Sequence, residues 1–260
     1  MAWQRFDQKY TPGQTQPFKL SRSKIDFYLE CPRCFWLDRR LGIKRPDTAP
    51  FQINKAVDEL LKKEFDSYRA KNQPHPWMVD NDIKAVPYAH NSLDDWRNNF
   101  TGVQTLHKAT NFLVFGAVDD VWADESGQLI VVDYKATAKN KPINDLDPPG
   151  GWHDAYRRQM EVYQWLLRQN GFRVSDTGYF VYANGRLDLD GFFNKVEFVT
   201  TVIPYTGNAD WVEATLQQIK DCLEADLPPV GNGPLGQGCS YCAYARSRTE
   251  LTIEAIRRRK

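Results

Sequence analysis

Three side chains near the middle of the chain are of types that could do chemistry together. Asp119, Asp133 and Lys135 flank a turn signal, Asp124-Glu125-Ser126-Gly127. A hairpin centred on Ser126 puts Asp119 directly opposite Asp133, with Cβ atoms about 4.5–5.5 Å apart. Strand alternation adds Lys135 to the same face. A slip of one residue would undo the arrangement. Two carboxylates held that close repel each other unless a proton or a cation lies between them. Mg²⁺ or Mn²⁺, which favour carboxylate and water oxygens, would remove the conflict. Such an ion activates water and stabilises charge developing on a phosphate. A lysine beside it orients the water or neutralises phosphoryl oxygens. The same three residues also read as a solvated sheet face bearing an ordinary Asp–Lys pair.

The elements that must position these groups can be read around them. Leu129–Val132 are four apolar residues in a row, the mark of a strand buried on both faces, and they run straight into Asp133. Strands are expected at 102–107, at 111–123 as one long segment, at 128–136, near 178–182 and at 195–203. Ser21 is a candidate N-cap for a helix that Pro32 interrupts and Gly42 ends. Further helices are expected over 54–70, 152–169 and 209–225. Loops containing Pro46 and Pro50, and the segment 142–151, separate them, and 73–99 reads as irregular. Tyr156, Met160, Tyr163 and Leu167 form one apolar stripe of the third helix, with Gln159 inside it. A polar amide facing inward needs partners, which a site or the backbone could supply. A helical start, a strand meander, a helix and more strands make a mixed α/β fold.

Five cysteines complete the inventory. Cys31/Cys34 and Cys239/Cys242 are CxxC pairs at the two ends of this core, and Cys222 stands alone. In a reducing compartment two such pairs signal a four-ligand metal site more than disulfides. Four thiolates suit zinc or an iron–sulfur cluster. Cys222 falls on a helix face with Leu216, Ile219 and Leu223 and reads as core packing.

Gly116-Ala117-Val118-Asp119 followed by Asp133-Tyr134-Lys135 resembles the metal-binding core of PD-(D/E)XK nucleases. The similarity is greatest to the RecB-like branch, which includes CRISPR adaptation nucleases and the nuclease domains of recombination helicases. Gln159 and Tyr163, four apart in RRQMEVYQW, match that branch's glutamine–tyrosine helix motif. The resemblance implies a restriction-endonuclease-like core: a mixed central sheet flanked by helices, with the chain's two ends joined at the cysteines. It implies that Asp119 and Asp133 bind Mg²⁺ or Mn²⁺ with the Tyr134 carbonyl, that Lys135 assists hydrolysis, and that Gln159 and Tyr163 support the substrate side. Where the branch often carries a helix histidine ligand this chain has Asp58, which reads either as a replacement oxygen ligand or as an exposed helix charge. Many members hold a [4Fe–4S] cluster with one cysteine before the core and three after. The arrangement here is two plus two, so a cluster is expected, with Zn²⁺ as the alternative.

Arg22, Lys24, Arg39 and Arg40, with Phe35 and Trp36 interleaved, offer phosphate neutralisation and base stacking, a pattern suited to single-stranded DNA. A solvated helix face is the other reading. Globally, 34 basic against 33 acidic residues leave no field that would announce nucleic acid or membrane. No apolar run approaches the ~18 residues of a membrane span, and the first residues lack the apolar segment of a secretory signal, so a cytoplasmic protein without membrane partners is expected. The expected organisation is an irregular arm at 1–20, a nuclease-like domain at 21–245 and a basic tail at 246–260. The expected function is a metal-dependent nuclease acting on DNA, single-stranded by resemblance, in repair, recombination or defence. Two rivals remain: an inactive nucleic-acid-binding scaffold of the same fold, and a CRISPR adaptation factor working in a complex with partner proteins.

Overall fold

The computed structural model describes residues 9–46, 52–141, 143–231 and 238–259. The first eight residues of the expected arm, the loop around Pro50, Pro142, most of the glycine-rich segment GNGPLGQG and Lys260 lie outside them. In chain order the elements are β1 (Phe18–Ser21), α1 (Arg22–Glu30), α2 (Pro32–Trp36), a π-helical turn over Leu37–Leu41, α3 (Gln52–Arg69), α4 (Pro76–Asp80), β2 (Ala85–Pro87), α5 (Leu93–Trp96), β3 (Val103–His107), β4 (Phe112–Gly116), β5 (Asp120–Asp124), β6 (Leu129–Thr137), α6 (Asp154–Gln169), β7 (Thr177–Gly185), β8 (Phe198–Thr206), α7 (Trp211–Glu224) and α8 (Ser240–Arg258). They form two compact units. One comprises the described residues of Met1–Thr48, Leu106–Leu113 and Glu213–Lys260, the other those of Ala49–Thr105 and Val114–Val212.

The second unit is built on a five-stranded sheet of order β2-β5-β6-β7-β8. β6 and β7 run parallel, with α6 as the crossover, and the other neighbours are antiparallel. The sheet is covered on both faces. Leu61 and Phe65 of α3 pack on Trp122, Ile130, Val132 and Tyr134. The alternate residues of β6 face α6, where Gly178 of β7 leaves room for Met160: a Cβ there would lie 2.4 Å from the Met160 sulfur. Two covered faces are why Leu129–Val132 is apolar without alternation.

The β5–β6 register pairs Asp120 with Val132 and Val121 with Val131, the register the turn at Ser126 predicts. The expected single strand over 111–123 is instead two strands in different sheets, β4 in a three-stranded sheet of order β1-β4-β3 and β5 in the five-stranded one. The break follows a backbone crossing at Gly102 (φ 62°), where a Cβ would lie 2.5 Å from the Gly116 carbonyl. The 73–99 segment is likewise more ordered than its turn-rich sequence suggests. His75 there caps α4, stacks on Phe65 at 4.3 Å and bonds Glu64 at 3.0 Å.

In the first unit Cys31, extended at φ −161°, separates α1 from α2, and Pro32 follows as the first residue of α2, a position where its missing N–H costs nothing. Gly42, at φ 75°, ends the π-helical turn. The tail is helical: α8 runs to Arg258 with none of its side chains buried.

Candidate active site and four-cysteine centre

β5 and β6 bring the acidic groups together as their register requires. Asp119, one residue before β5, accepts a hydrogen bond from the Tyr134 N–H at 2.9 Å. Asp133 is fully buried on the α6 face. The Lys135 ammonium sits against Asp133 Oδ2 and lies 4.4 Å from the centre of the Tyr156 ring. Gln159 donates to Asp133 Oδ1 at 2.6 Å and to the Tyr163 hydroxyl at 3.2 Å, while its Oε1 faces Lys135 Nζ at 3.4 Å. The glutamine of the QxxxY pair is therefore a clamp that fixes the carboxylate and the ammonium at once, and Tyr163 holds the clamp.

Burial first, and then the neighbouring Asp133, raise the Asp119 pKa from an ordinary 3.8 to about 7. Burial and then Asp119 also raise that of Asp58, near the start of α3. Lys62 bonds Asp58 Oδ2 at 2.7 Å, but the buried Asp58 Oδ1 has no partner. Burial alone would lower the Lys135 pKa; Asp133 and Asp119 outweigh it, and the net shift is upward. The chemistry of these donors suits a divalent cation, which would let Asp119 and Asp133 ionise together and give the orphaned Asp58 oxygen a partner. The three carboxylates do not, however, come within 4.8 Å of one another as a ligand group in this structure.

One part of the site escaped sequence reading. Asp120, adjacent to Asp119, points to the other face and is fully buried. It receives Tyr134 Oη at 2.7 Å, Arg97 Nη2 at 2.9 Å and Arg69. Arg97 also donates through Nε to the Asp119 carbonyl at 3.1 Å, so a buried ion network holds the backbone that carries Asp119. The signal was the doublet itself. Adjacent aspartates on a strand face opposite ways, and the one turned into the core must have cationic partners.

The basic cluster of the first unit is engaged internally. Asp38 pairs with Lys24 at 2.6 Å and with Arg39, which is buried. Arg40 donates to the carbonyls of Leu223 and Ala225 at the end of α7. Arg22 is half-buried. Phe35 and Trp36 are core residues, which overturns the expectation that they serve as stacking platforms.

The CxxC pairs converge. Cys31, Cys34, Cys239 and Cys242 place their sulfurs within 4.8 Å of one another, the one such group of three or more potential ligands among the described residues. Sulfur separations of 3.7, 3.7 and 3.5 Å can be compared with a tetrahedral ion at about 2.3 Å from each sulfur, which sets sulfurs about 3.8 Å apart. A cubane cluster, with each thiolate on a separate iron, needs a wider set. Cys239 is the N-cap of α8. Burial pushes its thiol up, but the Cys242 N–H and the neighbouring thiols bring it down to about 7. Arg45 Nη2 reaches its sulfur at 3.3 Å. Both effects favour the thiolate at Cys239, while burial raises Cys34, and burial with the neighbouring thiols raises Cys242, so the four do not ionise alike without a cation among them. Cys222 is partly buried, and burial raises its thiol to about 11.

A covered mixed sheet, a carboxylate pair across a β-turn and a following lysine define a nuclease core. The profile of the PD-(D/E)XK nuclease superfamily matches residues 19–247, and the chain belongs to that superfamily, whose members are generally metal-dependent phosphodiester hydrolases. A solved structure described as the crystal structure of SSO0001 is similar at 12% identity over 83% of this chain and 80% of that one, with a TM-score of 0.38. At that score the likeness carries no argument. No curated protein matches. Among the described residues no helix is long and apolar enough to cross a membrane.

Proposed function

We propose that the protein is a divalent-metal-dependent deoxyribonuclease of the RecB-like branch, cutting single-stranded DNA in repair, recombination or CRISPR adaptation. The observation that carries this reading is the Asp119–Asp133 pair, compressed beside a protonated Lys135 and an unpartnered Asp58 oxygen. Asp119, Asp133, Asp58 and the Tyr134 carbonyl would hold Mg²⁺ or Mn²⁺. That ion supplies Lewis acidity and lowers the pKa of water beside the phosphodiester. Lys135, with its raised pKa, keeps its proton. It is placed to orient the attacking water or to neutralise phosphoryl oxygens. Gln159 holds Asp133 and Lys135 in register and Tyr163 holds Gln159, so both act through other residues. In the first unit the sulfur spacing supports one zinc ion more than a cluster, in a structural role.

The test is incubation of end-labelled single- and double-stranded DNA with purified protein in Mg²⁺, Mn²⁺ or EDTA. Cleavage that EDTA abolishes is the expected result. Binding without cleavage in every metal would make the protein a scaffold of the same fold.

A further inference from the structure

Arg45 follows the π-helical turn of the first unit, and its side chain is only 15% exposed. The guanidinium lies in a slot between two rings, 4.6 Å from the centre of Phe27 and 4.5 Å from that of Tyr241. A planar, delocalised cation is the kind of group such a slot favours. Its edge is aimed at two partners. Nη1 donates to Glu30 Oε1 at 2.8 Å, and Nη2 donates to Cys239 Sγ at 3.3 Å. These neighbours flank the four sulfurs: Glu30 immediately precedes Cys31, and Tyr241 lies between Cys239 and Cys242.

Charge balance gives a reason for a cation there. A buried guanidinium needs anionic partners, and Arg45 Nε is buried with no hydrogen-bond partner among the described residues. Glu30 is 58% exposed, so water and salt screen much of its attraction. Four thiols would add only neutral sulfur. Four thiolates outweigh the charge of a divalent ion held among them, and that excess is what a cation beside Cys239 can balance.

We propose that Arg45 is a positioning residue of the four-cysteine centre, whose hydrogen bond to Cys239 slows loss of the metal and shields that thiolate from electrophiles. This rests on the four-thiolate metal reading and adds a residue outside the ligand set. A donor to one thiolate draws off part of the negative charge that the four sulfurs share. Their mutual repulsion falls, and the thiolate is favoured over the thiol that would release the ion. The same bond lowers the energy of the Cys239 lone pairs, so that sulfur attacks electrophiles less readily. Phe27, Tyr241 and Glu30 keep the guanidinium plane aimed at the sulfur.

The experiment uses the full chain loaded with Zn²⁺ and reads metal, not cleavage. Transfer of zinc to an excess of chromogenic chelator gives the rate of release. Arg45→Met keeps a stem in the slot without the charge and should lose zinc at least about tenfold faster than the parent. Arg45→Lys keeps the charge and should fall between the two. Glu30→Gln breaks the ion pair but leaves the donor to Cys239, and should release zinc at the parental rate. With Co²⁺ in place of Zn²⁺, the sulfur-to-cobalt charge-transfer band should move to longer wavelength in Arg45→Met, a shift that lost packing alone would not cause. Should that variant fail to fold, the loaded parent decides: iodoacetamide should alkylate Cys242 before Cys239, the two being alike partly exposed. Parental release with an unmoved band in Arg45→Met overturns the proposal. So does zinc loss from Arg45→Lys or Glu30→Gln as fast as from Arg45→Met, or alkylation of Cys239 first. Any of these in a parent that holds metal refutes the role of Arg45 alone. A parent that binds neither zinc nor cobalt refutes the four-thiolate reading with it.

Discussion

Replacing Asp119 by Asn should stabilise the metal-free protein at neutral and alkaline pH, by an amount that local electrostatics sets. In the folded chain the Asp119 carboxyl titrates at about 7 against an ordinary 3.8. The folded state therefore binds this proton more tightly than the unfolded state. Stability from this group is fully present below about pH 4, falls between about pH 4 and 7, and is flat above that. Three pKa units at about 1.4 kcal/mol each amount to about 4 kcal/mol. Asn carries no charge and can still accept the Tyr134 N–H, so Asp119→Asn lacks this fall. Urea denaturation in EDTA from pH 5 to 8.5 checks it: the two proteins should converge at the acid end and diverge toward pH 8, with the variant the more stable. Mg²⁺ binds only the folded parent and should recover much of the difference. Parallel pH curves in EDTA, or a variant less stable than the parent at pH 8, would refute the reasoning.

Other consequences can be checked separately. Lys135→Ala and Asp133→Asn should abolish cleavage in the labelled-DNA assay while near-ultraviolet circular dichroism stays that of the parent. Asp120→Ala removes the buried counter-ion of Arg69 and Arg97 and should cost about 3–5 kcal/mol in urea unfolding; a loss below about 1 kcal/mol would show that Asp66, which also pairs with both arginines, suffices for them. Asp58→Ala should raise the Mg²⁺ concentration needed for half-maximal cleavage, and an unchanged titration would make Asp58 a bystander. Elemental analysis should find one zinc per chain, lost in Cys31→Ser and Cys239→Ser and kept in Cys222→Ser; iron with acid-labile sulfide would reinstate the cluster.

What the sequence made legible was short-range. The turn at Ser126 set the register, and the spacing of Gln159 and Tyr163 put both on the buried face of α6. The two CxxC pairs announced a shared site across the whole core because thiols carry their own chemistry. What stayed hidden depends on partners distant in sequence. Arg39 looks like a phosphate ligand until Asp38 and Lys24 are seen around it. Asp120 drew no reading from the sequence because its partners, Arg69 of α3 and Arg97 at the end of α5, are remote along the chain.

The order in which the chain is made has a consequence for the cysteine-bearing unit. That unit draws on the first residues, a short middle segment and the last residues, whereas the nuclease sheet is complete by Val212. During synthesis the sheet can close while α1 and α2 still lack the segments that cover Phe35, Trp36 and both leading thiols. Cys34 and Cys239 are 205 residues apart, a wait of about 10–40 s at ribosomal speeds. Through that interval the nascent chain shows a greasy, thiol-bearing surface to chaperones and oxidants. A metal held by the four thiols could complete its coordination only after Cys242 emerges, so its loading would follow closure of the sheet, and scarcity of metal would be felt first in the cysteine-bearing unit.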